Sequence, residues 1–566
     1  MRLPTLRAPN KNAPLPRMAA IASAFVFGQK VAQRAAEGMS PCLFSLHPRR
    51  CRFRSSSLRG SFLLGTLTLS NVSYLACATV LLLTGCAAFS VPPQEKKPRN
   101  IILVIGDGMG PQQLGLAELY ALNTKDRKAE PLSRFVRSAA IGTHIPSAHN
   151  TLVNDSACSA TQMASACTCK PRQVGIDTSG LPCGSIFQDA RRRSMKVGLV
   201  SDTQITHATP AAFYASVHER NSEHRIAEQL IKSDFDLALS GGRAFFSSST
   251  ISCETADCRD SNKISSGRSD DQNLIDKARS KGVVVVESAS ELRDVRSTPL
   301  LGLFSQNFMN DAFREGQDEQ PSLAAMTAKA LSLLDNQNGF ILMVEAGQID
   351  FAAHNNDAGW VLAELLRLST TLDAIMEFTQ GRDDTLVILT GDHETGGMGF
   401  SYYYPSKIPS TAGLSSSPGK GLDSNFVSTE SLDTLQKQTA PIRTVAEAFM
   451  KLEAKQRTAE KLREMTRSIA NLPLDLSVAS WITTSLSGET RPRSIFDALV
   501  TPYYPHSSAP TALLGRALGS QLGIVWATGT HTSTPIFVFS TGPYSSSFQG
   551  VFQTHELGQR LKAVLE

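Results

Sequence analysis

Hydrophobic residues fall along this chain in short unbroken runs, several of which stop at a glycine followed by a carboxylate or a histidine. Asn100–Ile105, Lys196–Ser201, Phe340–Val344 and Thr385–Thr390 show little alternation with polar residues, the pattern of strands buried on both faces of a parallel sheet. Shorter apolar runs at 236–240 and 283–287 extend the series. Residues 223–232, 271–280 and 321–335 and the amphipathic stretch Asp357–Thr379 read as helices, with a further one at about Gln112–Leu122. This alternation predicts an α/β fold: a three-layer, doubly wound, mostly parallel sheet with helices on both faces. The pattern breaks over 398–520, a long insertion that is Ser/Pro-rich to about 430 and helical at 442–468. It resumes at Gly523–Trp526, followed by a strand at Pro535–Phe539 and a final helix at 554–565.

Composition confirms a globular chain, with 41% hydrophobic and 19% charged residues. Charge changes the picture more. Residues 1–86 hold eleven Lys/Arg against one acid, about +10, so the net +5 of the whole leaves about −5 for the rest. The basic balance belongs to the leader and implies no nucleic-acid partner. Arg49, Arg50, Arg52, Arg54 and Arg59 precede an uncharged stretch whose apolar core, Tyr74–Leu83, runs into Leu83-Thr84-Gly85-Cys86. A basic region, a short apolar core and small residues at its end are the features of an export signal. We expect a basic N-terminal extension at 1–58 with Met39 as an alternative start, a signal peptide at 59–86, a Pro-rich linker at 87–99 and one catalytic domain at 100–566. Six cysteines follow Cys86, an even number suited to disulfides in an exported chain. Cys253 with Cys258 and Cys169 with Cys183 are candidate pairs, and Cys158 is expected to be a small buried filler.

The strand ends carry the candidate chemistry. After Val344 come Glu345, Asp350 and His354, and the i, i+4 spacing of the last two lets both face one ion if a helical turn starts there. Glu345 offers only oxygen and suits a harder ion. Asp107 stands between glycines at the end of the first strand, Asp392–His393 follow another, and His531 adds an imidazole. Ser156 opens a run of small residues, where free N–H groups and the helix dipole favour an anion and lower a hydroxyl's pKa. Thr209-Pro210 is expected to start a helix with Arg220 near its end, and Arg220 can hold two phosphate oxygens with its planar fork. Each residue alone has an ordinary structural reading, Asp155-Ser156 as a helix cap for one. Carboxylates and imidazoles at several strand ends on one rim together point to metal ions.

The motifs Gly106-Asp-Gly-Met-Gly110, Asp155-Ser-Ala157, Thr206-His-Ala-Thr-Pro-Ala-Ala212, Val344-Glu-Ala-Gly-Gln-Ile-Asp350, Gly391-Asp-His-Glu-Thr-Gly-Gly397 and Thr528-Gly-Thr-His-Thr532 resemble those of the bacterial alkaline phosphatases, in the same order. The resemblance implies two zinc ions, one on Asp350, His354 and His531, the other on Asp107, Asp392 and His393 beside Ser156. It implies one magnesium on Asp107, Thr209 and Glu345, and a phosphate grip by Arg220. Asp155, His207 and Phe351 would stand behind these groups. The activity implied is hydrolysis of small phosphate monoesters through a phosphoseryl intermediate on Ser156. Leu83–Cys86 likewise resembles a bacterial lipobox, which implies a lipid on Cys86, membrane attachment, and a place in the cell envelope or periplasm. Departures from the family pattern are Phe351, where some members carry Lys, His or Trp, and His207, where others carry Asp. The 138 positions between His393 and His531 are also more than in the bacterial prototype. Such insertions cover active sites or carry homodimer contacts. Rival readings are a phosphodiesterase of the same superfamily and a non-catalytic surface lipoprotein.

Overall fold

A computed structural model describes residues 96–247, 268, 270, 272–402, 426–487 and 509–566. The leader with Cys86, the Cys253/Cys258 pair and most of the Ser/Pro-rich part of the insertion lie outside the described residues. In chain order the strands are β1 (Asn100–Gly106), β2 (Ala140–Ile145), β3 (Lys196–Gln204), β4 (Leu237–Gly241), β5 (Val284–Val286), β6 (Leu300–Leu303), β7 (Phe340–Ala346), β8 (Thr385–Gly391), β9 (Glu394–Thr395), β10 (Met398–Phe400), β11 (Ile524–Trp526), β12 (His531–Thr532), β13 (Ile536–Thr541) and β14 (Gly550–Gln553). Ten of them form one sheet in the order β14-β2-β13-β8-β1-β7-β3-β4-β6-β5.

The unbroken apolar runs take the centre of this sheet because both of their faces are covered. In β1, Ile102 and Val104 enter one hydrophobic core while Ile101, Leu103 and Ile105 enter the other. β7 divides the same way, Leu342 and Val344 against Ile341 and Met343. Each such side chain contributes roughly 1.5–3 kcal/mol on burial, so a one-residue slip would exchange two complete faces and the register is firmly set. The three-layer, mostly parallel arrangement expected from the sequence is the one observed.

β13 is the antiparallel member, paired with β8 on one side and β2 on the other. Chain path explains its direction. The short ladder of β12 with β9, His531 opposite Thr395, lies just beyond the end of β8. β13 begins four residues after β12, so the chain enters the sheet from that rim and must run away from it. Three strands of this sheet escape the hydrophobic pattern: β2, half-exposed, with Gly142 and His144 as its buried positions, the four-residue β6, and the edge strand β14, exposed at Gly550 and Val551.

The insertion packs largely around its own apolar core, with Val445, Phe449, Leu462 and Leu514 at its centre. Its helices span Glu430–Gln436, Ile442–Met450, Ala459–Ala470, Leu476–Ser487 and Ala509–Gln521. No helix among the described residues is long and apolar enough to cross a membrane.

Candidate active site

The four adjacent strands β8, β1, β7 and β3 end on one rim, and their register brings the candidate residues together. Gly106 of β1 lies opposite Ala346 of β7 and Gly391 of β8, and Glu345 lies opposite Ser201 of β3. Asp107 and Asp392, each one residue past its strand, therefore emerge side by side. Gly108 has φ +72°, and a Cβ there would sit 2.8 Å from the Cα of Asp350. Only glycine allows the two loops to approach so closely.

Asp350 and His354 occupy one helix, Gln348–His354, with His354 Nε2 3.2 Å from Asp350 Oδ2. His531 Nε2 lies 3.2 Å from His354 Nε2 and 3.8 Å from Asp350 Oδ1. Each ring bonds a backbone carbonyl through its other nitrogen, His354 Nδ1 to Gly529 at 2.7 Å and His531 Nδ1 to Asn154 at 2.9 Å. A carbonyl only accepts, so the protons belong on both Nδ1 atoms and both Nε2 lone pairs face the same place. Two imidazoles and a carboxylate with converging lone pairs are a metal-ligand set.

Ser156 opens the helix Ser156–Ser165, and Asp155 caps it by accepting the Cys158 amide at 3.1 Å. Ser156 Oγ is 3.0 Å from His393 Nε2 and 3.5 Å from Asp107 Oδ1. His393 Nε2 also faces Asp392 Oδ2 at 3.2 Å. Thr395 donates to Asp350 Oδ1 at 2.5 Å, so its lone pair takes the His393 Nδ1 proton across 3.3 Å and leaves Nε2 bare toward Ser156. Asp392 Oδ1 accepts the amides of Gly108 and His393, while Oδ2, buried, has no hydrogen-bond partner.

A third cluster joins Asp107, Glu345 and His207. Ser201 and Thr203 hold Glu345 Oε2, the latter at 3.0 Å, and Oε1 is left without a hydrogen bond. Thr209 Oγ1 lies 3.3 Å from Asp107 Oδ2. Arg220 Nη2 donates to His207 Nε2 at 3.0 Å, which places the His207 proton on Nδ1, 3.9 Å from Glu345 Oε1. In that tautomer His207 is a donor behind the cluster, not a ligand. Arg220 Nη1 is held by Asp155 Oδ2 at 3.1 Å, and Asp155 also accepts the Arg172 amide.

The electrostatics are those of a site built for cations. Burial, with the charges of Asp392, Asp350 and Glu345 adding to it, pushes Asp107 well above the usual carboxylate range. Burial likewise raises Asp392 to about 7. It also pushes His531 down to about 4 and His393 well below its ordinary value, so both imidazoles are neutral lone-pair donors. Buried carboxylates in this number are costly unless cations compensate them. The bare oxygens of Asp392 and Glu345 fit that role.

Three expectations are corrected. The helix expected from Thr209 toward Arg220 is only Ala208–Ala211. Beyond Ala215 the chain turns, and Val217 pairs with Val174 while the Arg220 amide donates to the Arg172 carbonyl; that pairing, not a helix end, carries Arg220 to Asp155. Cys169 bonds Cys158 rather than Cys183, which pairs with Cys167. Cys158 is thus a tether on the Ser156–Ser165 helix and not a filler, because the chain reverses at Ala166, which has φ 62°, and brings residues 167–169 back along it. The carbonyls of Asn154 and Gly529 went unnoticed because a carbonyl has no sequence signature. Ser201, Thr203 and Thr395 were findable as hydroxyls closing otherwise apolar runs or within the motifs.

The alkaline phosphatase family model matches residues 98–473. The repressible alkaline phosphatase of Saccharomyces cerevisiae is 30% identical over 362 residues, 60% of this chain and 63% of that protein. Alkaline phosphatase 4 of Bacillus subtilis is 30% identical over 319 residues, 55% of this chain and 64% of that protein. The chain thus spans under two thirds of each of these relatives. The crystal structure of Thermus thermophilus alkaline phosphatase shares the fold with a TM-score of 0.66 at 24% identity, over 84% of this chain and 93% of that one. A cold-active alkaline phosphatase from Shewanella gives 0.62 at 22% identity, over 82% and 100%.

Proposed function

Because the chain belongs to the alkaline phosphatase family over residues 98–473, we propose that it hydrolyses phosphate monoesters through a phosphoserine formed on Ser156. The observation that carries this reading is the Ser156 hydroxyl, first residue of a helix, 3.0 Å from a bare His393 Nε2 and flanked by the buried Asp107 and Asp392. Two zinc ions fit the donor sets Asp350/His354/His531 and Asp107/Asp392/His393, and magnesium fits the oxygens of Asp107, Thr209 and Glu345. Bound there, these ions supply Lewis acidity that lowers the pKa of a hydroxyl or water and neutralises phosphoryl charge.

The chain's own groups account for the rest. Arg220, aimed by Asp155 and His207, presents its fork to two non-bridging phosphate oxygens. The N-terminus of the Ser156–Ser165 helix favours the alkoxide form of Ser156 and the phosphate dianion. Ser156 Oγ attacks phosphorus in line, the ester P–O bond breaks, and the alcohol leaves with a proton. Water then attacks the phosphoserine, which releases inorganic phosphate and returns the proton to Ser156. The leader extends the proposal to export into the cell envelope, with acylation of Cys86 as the anchor, and the mass of the processed N-terminus tests that part.

Ser156→Ala is expected to retain bound zinc while its phosphate release from p-nitrophenyl phosphate falls by several orders of magnitude. A variant that keeps wild-type turnover would refute the assignment.

A further inference from the structure

Beside the grip on phosphate stands a group of aromatic side chains that the chemistry above leaves unused. The rings of Phe308 and Phe351 meet at 4.7 Å between centroids, inclined at 69°. His207 stands edge-on to both, 6.2 Å from Phe308 and 6.1 Å from Phe351. The same His207 accepts from Arg220 at 3.0 Å, so the aromatic group is continuous with the expected phosphate position. All three rings are half-buried, which leaves apolar surface next to the most polar part of the molecule.

The rings are firmly held. Phe351 follows Asp350 within the Gln348–His354 helix. Phe308 lies between Asn307, whose carbonyl accepts the Gly242 amide at 2.7 Å, and Met309, whose amide and carbonyl bond Asp202 at 3.2 Å and Gln348 at 2.9 Å. A loop fixed at both flanks presents its phenylalanine without ordering cost at the moment of binding. Edge-to-face clusters accept a further ring in the same geometry, and a ring gains more there than an alkyl group of similar charge.

Resting on the monoesterase reading, we propose that Phe308 and Phe351, with the edge of His207, seat the leaving group of the substrate, so that phosphate esters of aromatic alcohols are favoured over alkyl esters. The phosphoryl group would face Ser156 and Arg220 while the departing aryl oxygen carries its ring onto the two phenylalanines. Specificity of this kind is a difference between two esters, so the test is a ratio.

The experiment measures kcat/KM for phenyl phosphate and ethyl phosphate on the metal-loaded protein and on Phe308→Ala and Phe351→Ala. Intrinsic leaving-group reactivity cancels when the phenyl:ethyl ratio of a variant is divided by that of the wild type. We expect the ratio to fall about ten-fold in Phe308→Ala, in keeping with the loss of an aromatic contact. Competitive inhibition supplies a reading free of chemistry: the preference for phenylphosphonate over methylphosphonate should shrink by a similar factor. Phe308→Leu keeps apolar volume, so its ratio should fall less; it carries the test if Phe308→Ala does not fold. A ratio unchanged within two-fold in the folded variants, or one that rises, overturns the seat. Failure of the wild type to release phosphate from either ester overturns the underlying reading instead.

Discussion

Replacing Arg367 by methionine removes a buried cation from between two buried carboxylates. Arg367 Nη2 lies 2.6 Å from Asp202 Oδ2 and 2.5 Å from Glu364 Oε2, and Nη1 donates to the Asn310 carbonyl at 2.7 Å. Asp202 and Glu364 are each 1% exposed. Even with the guanidinium in place, burial raises Asp202 to about 6 and Glu364 to about 8. Without it both rise further, and the variant must carry them protonated. Breaking such a pair costs about 3–5 kcal/mol. The sign with pH follows from the raised pKa. A carboxyl whose folded pKa lies above its unfolded value of about 3.9 binds more protons folded than unfolded. The variant is then least impaired below pH 6, and above the wild-type value of each carboxyl its deficit grows by about 1.4 kcal/mol per pH unit until the new folded pKa is reached. Urea unfolding of wild type and Arg367→Met at pH 6 and pH 8 measures this directly. A cost below about 1 kcal/mol at pH 8, or a deficit that does not grow between the two pH values, would refute the reasoning. The consequence reaches the site, because Asp202 Oδ1 accepts the Gly347 amide at 2.6 Å and its carbonyl accepts from Gln348 at 3.0 Å. These bonds orient the helix that bears Asp350 and His354, so metal bound per chain should fall as well.

Two further predictions test the rim. His144 is fully buried between Thr554 Oγ1 and the Gly391 carbonyl, and burial lowers it to about 4. The unfolded chain takes up this proton first as pH falls below about 6.5, so stability is complete above that value and is lost toward pH 4, by about 3 kcal/mol in all. His144→Asn, which cannot titrate, should flatten the acid limb of unfolding free energy measured between pH 4.5 and 7; an unchanged slope would remove His144 as its cause. Gly108→Ala forces a Cβ to within 2.8 Å of Asp350 Cα at φ +72°, a left-handed conformation that costs about 1–2 kcal/mol before the clash is counted. Elemental analysis should show fewer metal ions per chain, and full metal content would contradict the need for so close an approach of the two loops.

Sequence alone determined which segments are buried and where chemistry concentrates. Runs such as Ile101–Ile105 and Phe340–Val344 are apolar without alternation, so only a position between two helical layers satisfies them, and the observed cores divide them face by face. Glycine followed by Asp107 or Asp392 marked the strand ends, and the i, i+4 spacing of Asp350 and His354 marked one helical face. Pairings between segments far apart in sequence depended on the tertiary structure. The register of β8, β1, β7 and β3 decides that Asp107 meets Asp392 and that Ser201 meets Glu345. The bonds from His531 to the Asn154 carbonyl and from His354 to Gly529 decide which nitrogens stay bare. The Cys158–Cys169 and Cys167–Cys183 bonds, and the descent of Arg220 from a paired segment rather than a helix, arise from chain reversals, at Ala166 and between Asp177 and Leu181, that no apolar periodicity marks. Apolar periodicity is a local property of the chain, whereas lone pairs converge only where separate strands share an edge.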